Sequence, residues 1–164
     1  MIDETDNQIL AILQANSRTT AAEIGRRVRI AASAIFARVR KLEEGGYICC
    51  YEARLDPERI GFGVMAFVSV REHPGAKDTA TALAHIPEVL EVHHVAGGDG
   101  ILVKIRARDM KDLRRLVHEQ IGTLAQVAAT ETTIVLDTVK ETSRLPVHGA
   151  PVATDPIPLT PRGA

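Results

Sequence analysis

Tryptophan is absent from this 164-residue chain, aromatic residues make up only 3 % of it, and there are just two cysteines. Those two, Cys49 and Cys50, are adjacent. Neighbours on a strand point to opposite faces, so a mutual structural disulfide is disfavoured. There is no Cys-x-x-Cys and the six histidines are scattered, which argues against zinc or any other bound metal. No apolar run reaches membrane-spanning length, and the acidic start MIDETDNQIL is unlike a secretion signal. A soluble, cytoplasmic protein without a membrane partner is therefore expected. Gly-x-Ser-x-Gly and Gly-x-x-x-x-Gly-Lys-Ser/Thr are both missing, so neither a nucleophile elbow nor a phosphate loop points to an enzyme or a cofactor. The chain has no overall excess of either charge, with a formal net of −1.

The charge that is present is local. Seven basic residues fall between Ser17 and Leu42 against Glu23 alone, an excess suited to phosphate contacts. Within this stretch Thr20 and Glu23 have capping-box spacing and open an apolar run through Ala22, Ile24 and Val28. A break at Arg29-Ile30-Ala31 precedes a second periodic segment, whose Ile35, Val39 and Leu42 share one face. Its other face carries Ser33, Phe36, Ala37, Arg40 and Lys41, with Arg38 beside them. Such a helix, aliphatic on one side and small, polar and cationic on the other, suits a DNA major groove. Ser33, Phe36, Ala37 and Arg40 are the expected base readers; Arg26, Arg27, Arg38 and Lys41 are the expected phosphate contacts. The bland alternative is a solvated helical hairpin whose arginines serve solubility alone.

Ahead of that pair, Asp3 is placed to cap a first helix that buries Ile9, Leu10, Ile12 and Leu13. Gly45-Gly46 closes the third helix, and Tyr47, Ile48, Tyr51 and Leu55 then read as a strand. From Gly61 the pattern is β-α-β-β-α-β. Residues 64–70 form a strand, Pro74-Gly75 opens a helix, and 89–95 and 101–107 form strands around the turn at Gly97, Gly98, Asp99 and Gly100. Asp109 caps a second helix, and 130–139 is a β-branched strand. The order is that of a ferredoxin-like split unit, with one sheet face, mostly apolar by its pattern, left for self-association. The expected fold class is α+β: a winged-type helix-turn-helix domain over 1–46, a linker strand and connection over 47–60, a ferredoxin-like βαββαβ oligomerisation domain over 61–141, and a tail over 142–164. Five of the eight prolines lie from Pro146 onward, so the tail is expected to be extended or disordered.

These blocks resemble the Lrp/AsnC, or feast/famine, family of transcription regulators. The likeness rests on IDETDNQILAILQ, RTTAAEIGRRV, RVRKLEEGGYI, LDPERIGFGV, PEVLEVHHVAGGDGILVKIRARD and TTIVLDTVKETSRLP, six blocks in the family's order and spacing. The resemblance implies a regulator that binds double-stranded DNA and responds to a small effector, an amino acid or related metabolite. It implies a homodimer, with octamers as the higher assembly, and an effector loop at Gly97, Gly98, Asp99 and Gly100.

Two departures from the family pattern stand out. Arg29-Ile30-Ala31 occupies the turn where Gly-Leu-Ser is usual, removing a turn glycine and a helix cap. The effector loop has Gly100 where an aspartate is usual, with Asp99 one place early, so a weaker site for an ammonium group is expected. Two alternatives share the layout. One is a tetrapyrrole decarboxylase using His93, His94, Lys104 and Arg106 toward propionates, which the shortage of aromatics disfavours. The other is an interaction module that has lost DNA binding.

Overall fold

Three helices open the chain: α1 over Glu4–Ala15, α2 over Ala21–Val28 and α3 over Ala32–Glu44. The computed structural model describes residues 2–98 and 100–147. Helix α1 starts at Asp3, whose side chain accepts from the Asp6 N–H at 2.8 Å while the Asp6 carboxylate accepts from the Asp3 N–H at 3.1 Å. This reciprocal cap satisfies two otherwise orphaned donors. The three helices meet over Ile9, Ile24, Ile35 and Leu42, all buried, with Leu10, Ile12, Leu13, Val28 and Val39 packed around them. Each fully buried aliphatic side chain contributes roughly 1.5–3 kcal/mol, and so small a core depends on every one.

The chain divides into two compact units. One takes Arg54 and everything before it together with the chain from Lys140 on; the other is Leu55–Val139. Residues 47–55 have strand composition but no ladder partner among the described residues, so they run as an irregular segment rather than the expected strand. Strand character needs a neighbouring edge as well as β-branched and aromatic residues. The segment is tied instead by side chains. The Tyr51 hydroxyl donates to Glu43 at 2.9 Å, and Arg54 grips the Glu141 carbonyl at 2.8 Å and carboxylate at 3.1 Å. Beyond Glu141 the chain docks on α1: Leu145 N–H donates to the Gln14 side chain at 2.8 Å, and Gln14 donates back to the Leu145 carbonyl at 3.2 Å. Residues 142–147, expected only to be extended or disordered, are thus anchored. The expected tail from 148 to 164 lies outside the described residues.

The second unit is a four-stranded antiparallel sheet in the order β2-β3-β1-β4, where β1 is Val64–Glu72, β2 Val89–His94, β3 Gly100–Ala107 and β4 Val127–Ile134. That is the strand order of a ferredoxin-like unit. Helix α4, Thr79–Ala84, starts several residues after the expected Pro74-Gly75 signal, because Gly75 adopts a left-handed turn and Asp78 follows with φ 62°. Helix α5, Met110–Arg115, opens on Asp109, whose side chain accepts from Asp112 N–H at 2.7 Å, and continues as a π-helical stretch over Leu116–Ile121. Strand β4 starts earlier and ends earlier than its composition suggests, since its length is set by pairing with β1 from Glu72↔Val127 to Ala66↔Ile134.

The helices cover one sheet face. Ala66, Val68 and Val70 of β1 and Ile101, Val103, Ile105 and Ala107 of β3 are buried there with Leu83, Leu113, Leu116 and Ile121. The opposite face is not the mostly apolar surface that strand composition suggested. Phe67 and Leu102 share it with Lys104, Arg106, Glu91, His93 and Glu131, as the registers Phe67↔Lys104, Met65↔Arg106, His93↔Leu102 and Ser69↔Glu131 require.

Candidate nucleic-acid interface

The turn between α2 and α3 is built on Gly25. Helix α2 is capped by Thr20, whose hydroxyl accepts from the Glu23 N–H at 3.2 Å. The reciprocal half of the expected box is not made; Glu23 instead binds Arg26 and Arg27, the latter at 2.9 Å. At the other end, Arg29 takes the left-handed conformation at φ 59°, ψ 42°, and the Ile30 N–H closes the turn on the Gly25 carbonyl at 2.9 Å. A Cβ at position 25 would lie 2.4 Å from the Ile30 carbonyl oxygen, so only glycine lets the turn fold this tightly over α2. A left-handed residue other than glycine costs on the order of 1 kcal/mol. Helix α3 then starts at Ala31, which makes no side-chain cap bond. The lost turn glycine and the lost helix cap thus both have structural consequences.

Ile35 and Leu42 anchor α3 in the core, and Val39 is half-buried beside them. Their 3.6-residue spacing turns Ser33, Phe36, Ala37, Arg40 and Lys41 outward, and all five are exposed. Phe36 is 67 % exposed in the middle of a helix, an unusual place for a large apolar ring. The cations of this unit differ in their ties. Arg26 and Arg27 share Glu23, and Arg40 holds Glu44 at 2.8 Å, all at exposed positions where an ion pair is weak and exchangeable. Arg38, grouped by sequence with the phosphate contacts, is turned the other way. Its guanidinium reaches Asp3 and Asp6 of α1, 2.7 Å from each, and the Asp6 side chain is nearly buried. The Asp3 carboxyl is held below its usual range, chiefly by the Asp6 N–H it accepts and next by Arg38.

The loop of the second unit is a hairpin turn. Gly97, Gly98 and Gly100 all have positive φ, at 96°, 62° and 90°, and Val95 N–H closes on the Gly100 carbonyl at 2.9 Å. Nothing lies within 4 Å of a Cβ built at any of the three, so the glycines serve the backbone turn and leave open space beside it. Asp99 lies outside the described residues. On the open sheet face Lys104 binds Glu91 at 2.9 Å and His93 lies 3.2 Å from the same carboxylate. Lys104 first and His93 second hold the Glu91 carboxyl below its usual range. No cluster of three metal-ligating side chains is found among the described residues.

A winged helix-turn-helix DNA-binding domain matches residues 2–48, and the Lrp/AsnC ligand binding domain matches 64–145, running past the second compact unit into the segment docked on α1. The chain belongs to the Lrp/AsnC family. It is 37 % identical to the HTH-type transcriptional regulator FL11 of Pyrococcus horikoshii, over 89 % of this chain and 97 % of that protein. Among solved structures, a transcriptional regulator of Neisseria meningitidis in complex with L-methionine superposes with a TM-score of 0.86 at 31 % identity, covering 90 % of this chain and 98 % of that one. A feast or famine regulatory protein of M. tuberculosis, also complexed with L-methionine, gives 0.84 at 32 %, covering 90 % and 99 %. This Lrp/AsnC chain is accordingly an effector-responsive, DNA-binding transcription regulator, and the tetrapyrrole decarboxylase alternative is set aside. No helix among the described residues is long and apolar enough to cross a membrane.

Proposed function

We propose that this regulator is a non-catalytic, cytoplasmic homodimer that reads duplex DNA through α3 and changes its DNA affinity when an L-amino acid reaches the loop of the second unit. The observation that carries the reading is the outward face of α3, where Ser33, Phe36, Ala37 and Arg40 stand exposed on a helix anchored by Ile35 and Leu42. Arg40 suits a guanine edge and Phe36 a thymine methyl. Arg26, Arg27 and Lys41 flank them as phosphate contacts, their surface carboxylates being easily exchanged for DNA. Arg38 holds α3 on α1 rather than facing the duplex.

The methionine-bound relatives favour an amino acid with an apolar side chain as the effector. Gly97, Gly98, Asp99 and Gly100 form its loop, and the absence of a carboxylate at position 100 weakens its hold on the ammonium group. The sheet face bearing both cations and carboxylates suits pairing with a two-fold copy wherever the axis sets a cation of one protomer against a carboxylate of its partner. The test is selection of binding sites from random duplexes, followed by titration of L-methionine. The Arg40→Ala variant should lose about 1–3 kcal/mol of discrimination at one base pair, whereas Arg27→Ala weakens all sequences alike. Full discrimination by Arg40→Ala removes α3 as the reader.

A further inference from the structure

Arg29 is held in a conformation that glycine would adopt without cost, and its side chain is exposed. It is one of only two non-glycine residues with positive φ among the described residues. Four other arginines of the helical unit, Arg26, Arg27, Arg38 and Arg40, each hold a carboxylate. Arg29, like Arg18 ahead of α2, has no ion pair among the described residues. Backbone strain of this kind persists where the side chain has a use. The turn position puts that residue at the entrance to α3.

We infer that Arg29 is a DNA-backbone contact, a positioning residue whose charge is kept at the expense of a relaxed turn. The inference rests on the reading of α3 as the DNA-facing helix. It carries a signature that a structural role would not: stability and affinity respond in opposite directions. In Arg29→Gly the turn relaxes while the phosphate contact is lost. In Arg29→Lys the charge stays, and so does a non-glycine residue in the left-handed backbone conformation. A merely structural arginine would give a glycine variant that is more stable and binds DNA unchanged.

The experiment compares the full-length wild type, R29G and R29K by thermal melting and by binding to a mixed-sequence duplex of about 30 base pairs across a salt series. R29G is expected to melt several degrees higher and bind roughly five- to tenfold more weakly near 0.1 M salt, with its salt slope reduced by about 0.9. R29K is expected to keep the wild-type slope and melting temperature. Unchanged affinity and slope in R29G overturn the inference, as does a melting temperature that falls. A wild type that binds no duplex overturns the DNA-binding reading instead, and the two failures are thereby distinct.

Discussion

Arg38 reaches from the middle of α3 to Asp6 in the first turn of α1, 2.7 Å away, and so ties the expected recognition helix to the helix that opens the chain. The Asp6 side chain is only 8 % exposed, while Arg38 remains 34 % exposed. Removing the cation would leave a nearly buried carboxylate facing α3 without its partner. Arg38→Ala is therefore expected to destabilise the helical unit by about 1–3 kcal/mol, the exposure of Arg38 placing it below a fully buried pair. Arg26→Ala, at an exposed pair, should stay within about 0.5 kcal/mol. Chemical denaturation followed by far-ultraviolet circular dichroism compares the two; equal stabilities would show that the Arg38 pair adds nothing.

The turn offers two substitutions with opposite signs. Gly25→Ala places a methyl 2.4 Å from the Ile30 carbonyl, a backbone atom that can move only by opening the α2–α3 turn. A loss of roughly 1–3 kcal/mol is expected, with DNA binding impaired because α3 is displaced. Ala31→Ser adds the missing cap hydroxyl and should raise stability by about 1 kcal/mol. Thermal melts of both variants decide the matter, and a Gly25→Ala protein as stable as wild type would mean the turn has room the geometry denies.

Legibility in the sequence followed the range of the interaction. The caps at Asp3, Thr20 and Asp109 and the alternation of β1 and β3 are local, and each was readable from residues a few positions apart. Residues 47–55 have the composition of a strand, yet a ladder depends on an edge that no local pattern encodes. The true span of β4 is likewise a property of its pairing with β1. In α3, the outward set was visible from its period, but the partner of Arg38 lies 32 residues upstream and could not be assigned from charge alone. The close approach of the Ile30 carbonyl to Gly25 has no counterpart in the sequence reading. A glycine inside a helical pattern just before a break was the available signal.

Gln14 and Leu145, 131 residues apart, exchange two hydrogen bonds, and Arg144 donates to the Ala15 carbonyl at 3.2 Å. The last turn of α1 leaves carbonyls without helical partners, and Arg144 satisfies one of them. A chain ending after Val139 should therefore show faster amide exchange in the second half of α1 than the full-length protein. Gln14→Ala combined with Arg144→Ala should reproduce the faster exchange with the chain intact. Protection of α1 that is indifferent to both the truncation and the double substitution would show that the docked segment is passive.

Alkaline pH probes the contact between the irregular segment and α3. Tyr51 donates its hydroxyl proton to Glu43 at 2.9 Å, and its phenol is pushed up to about 12, first by loss of hydration and then by the accepting Glu43 carboxylate. The folded value lies above the ordinary phenol value of 10.0, so the folded chain retains a proton that the unfolded chain releases. The stabilising contribution is complete below pH 10 and is lost as pH rises toward about 12. Half of the Tyr51 surface is exposed, so the loss should be modest. Ultraviolet absorbance of the phenolate should show a late titration step that disappears in Tyr51→Phe. In Glu43→Gln the step should move to lower pH, because the neighbouring negative charge is gone, while part of the upward shift from lost hydration remains. A step that does not move in Glu43→Gln would remove Glu43 as a cause and leave hydration alone to account for the shift.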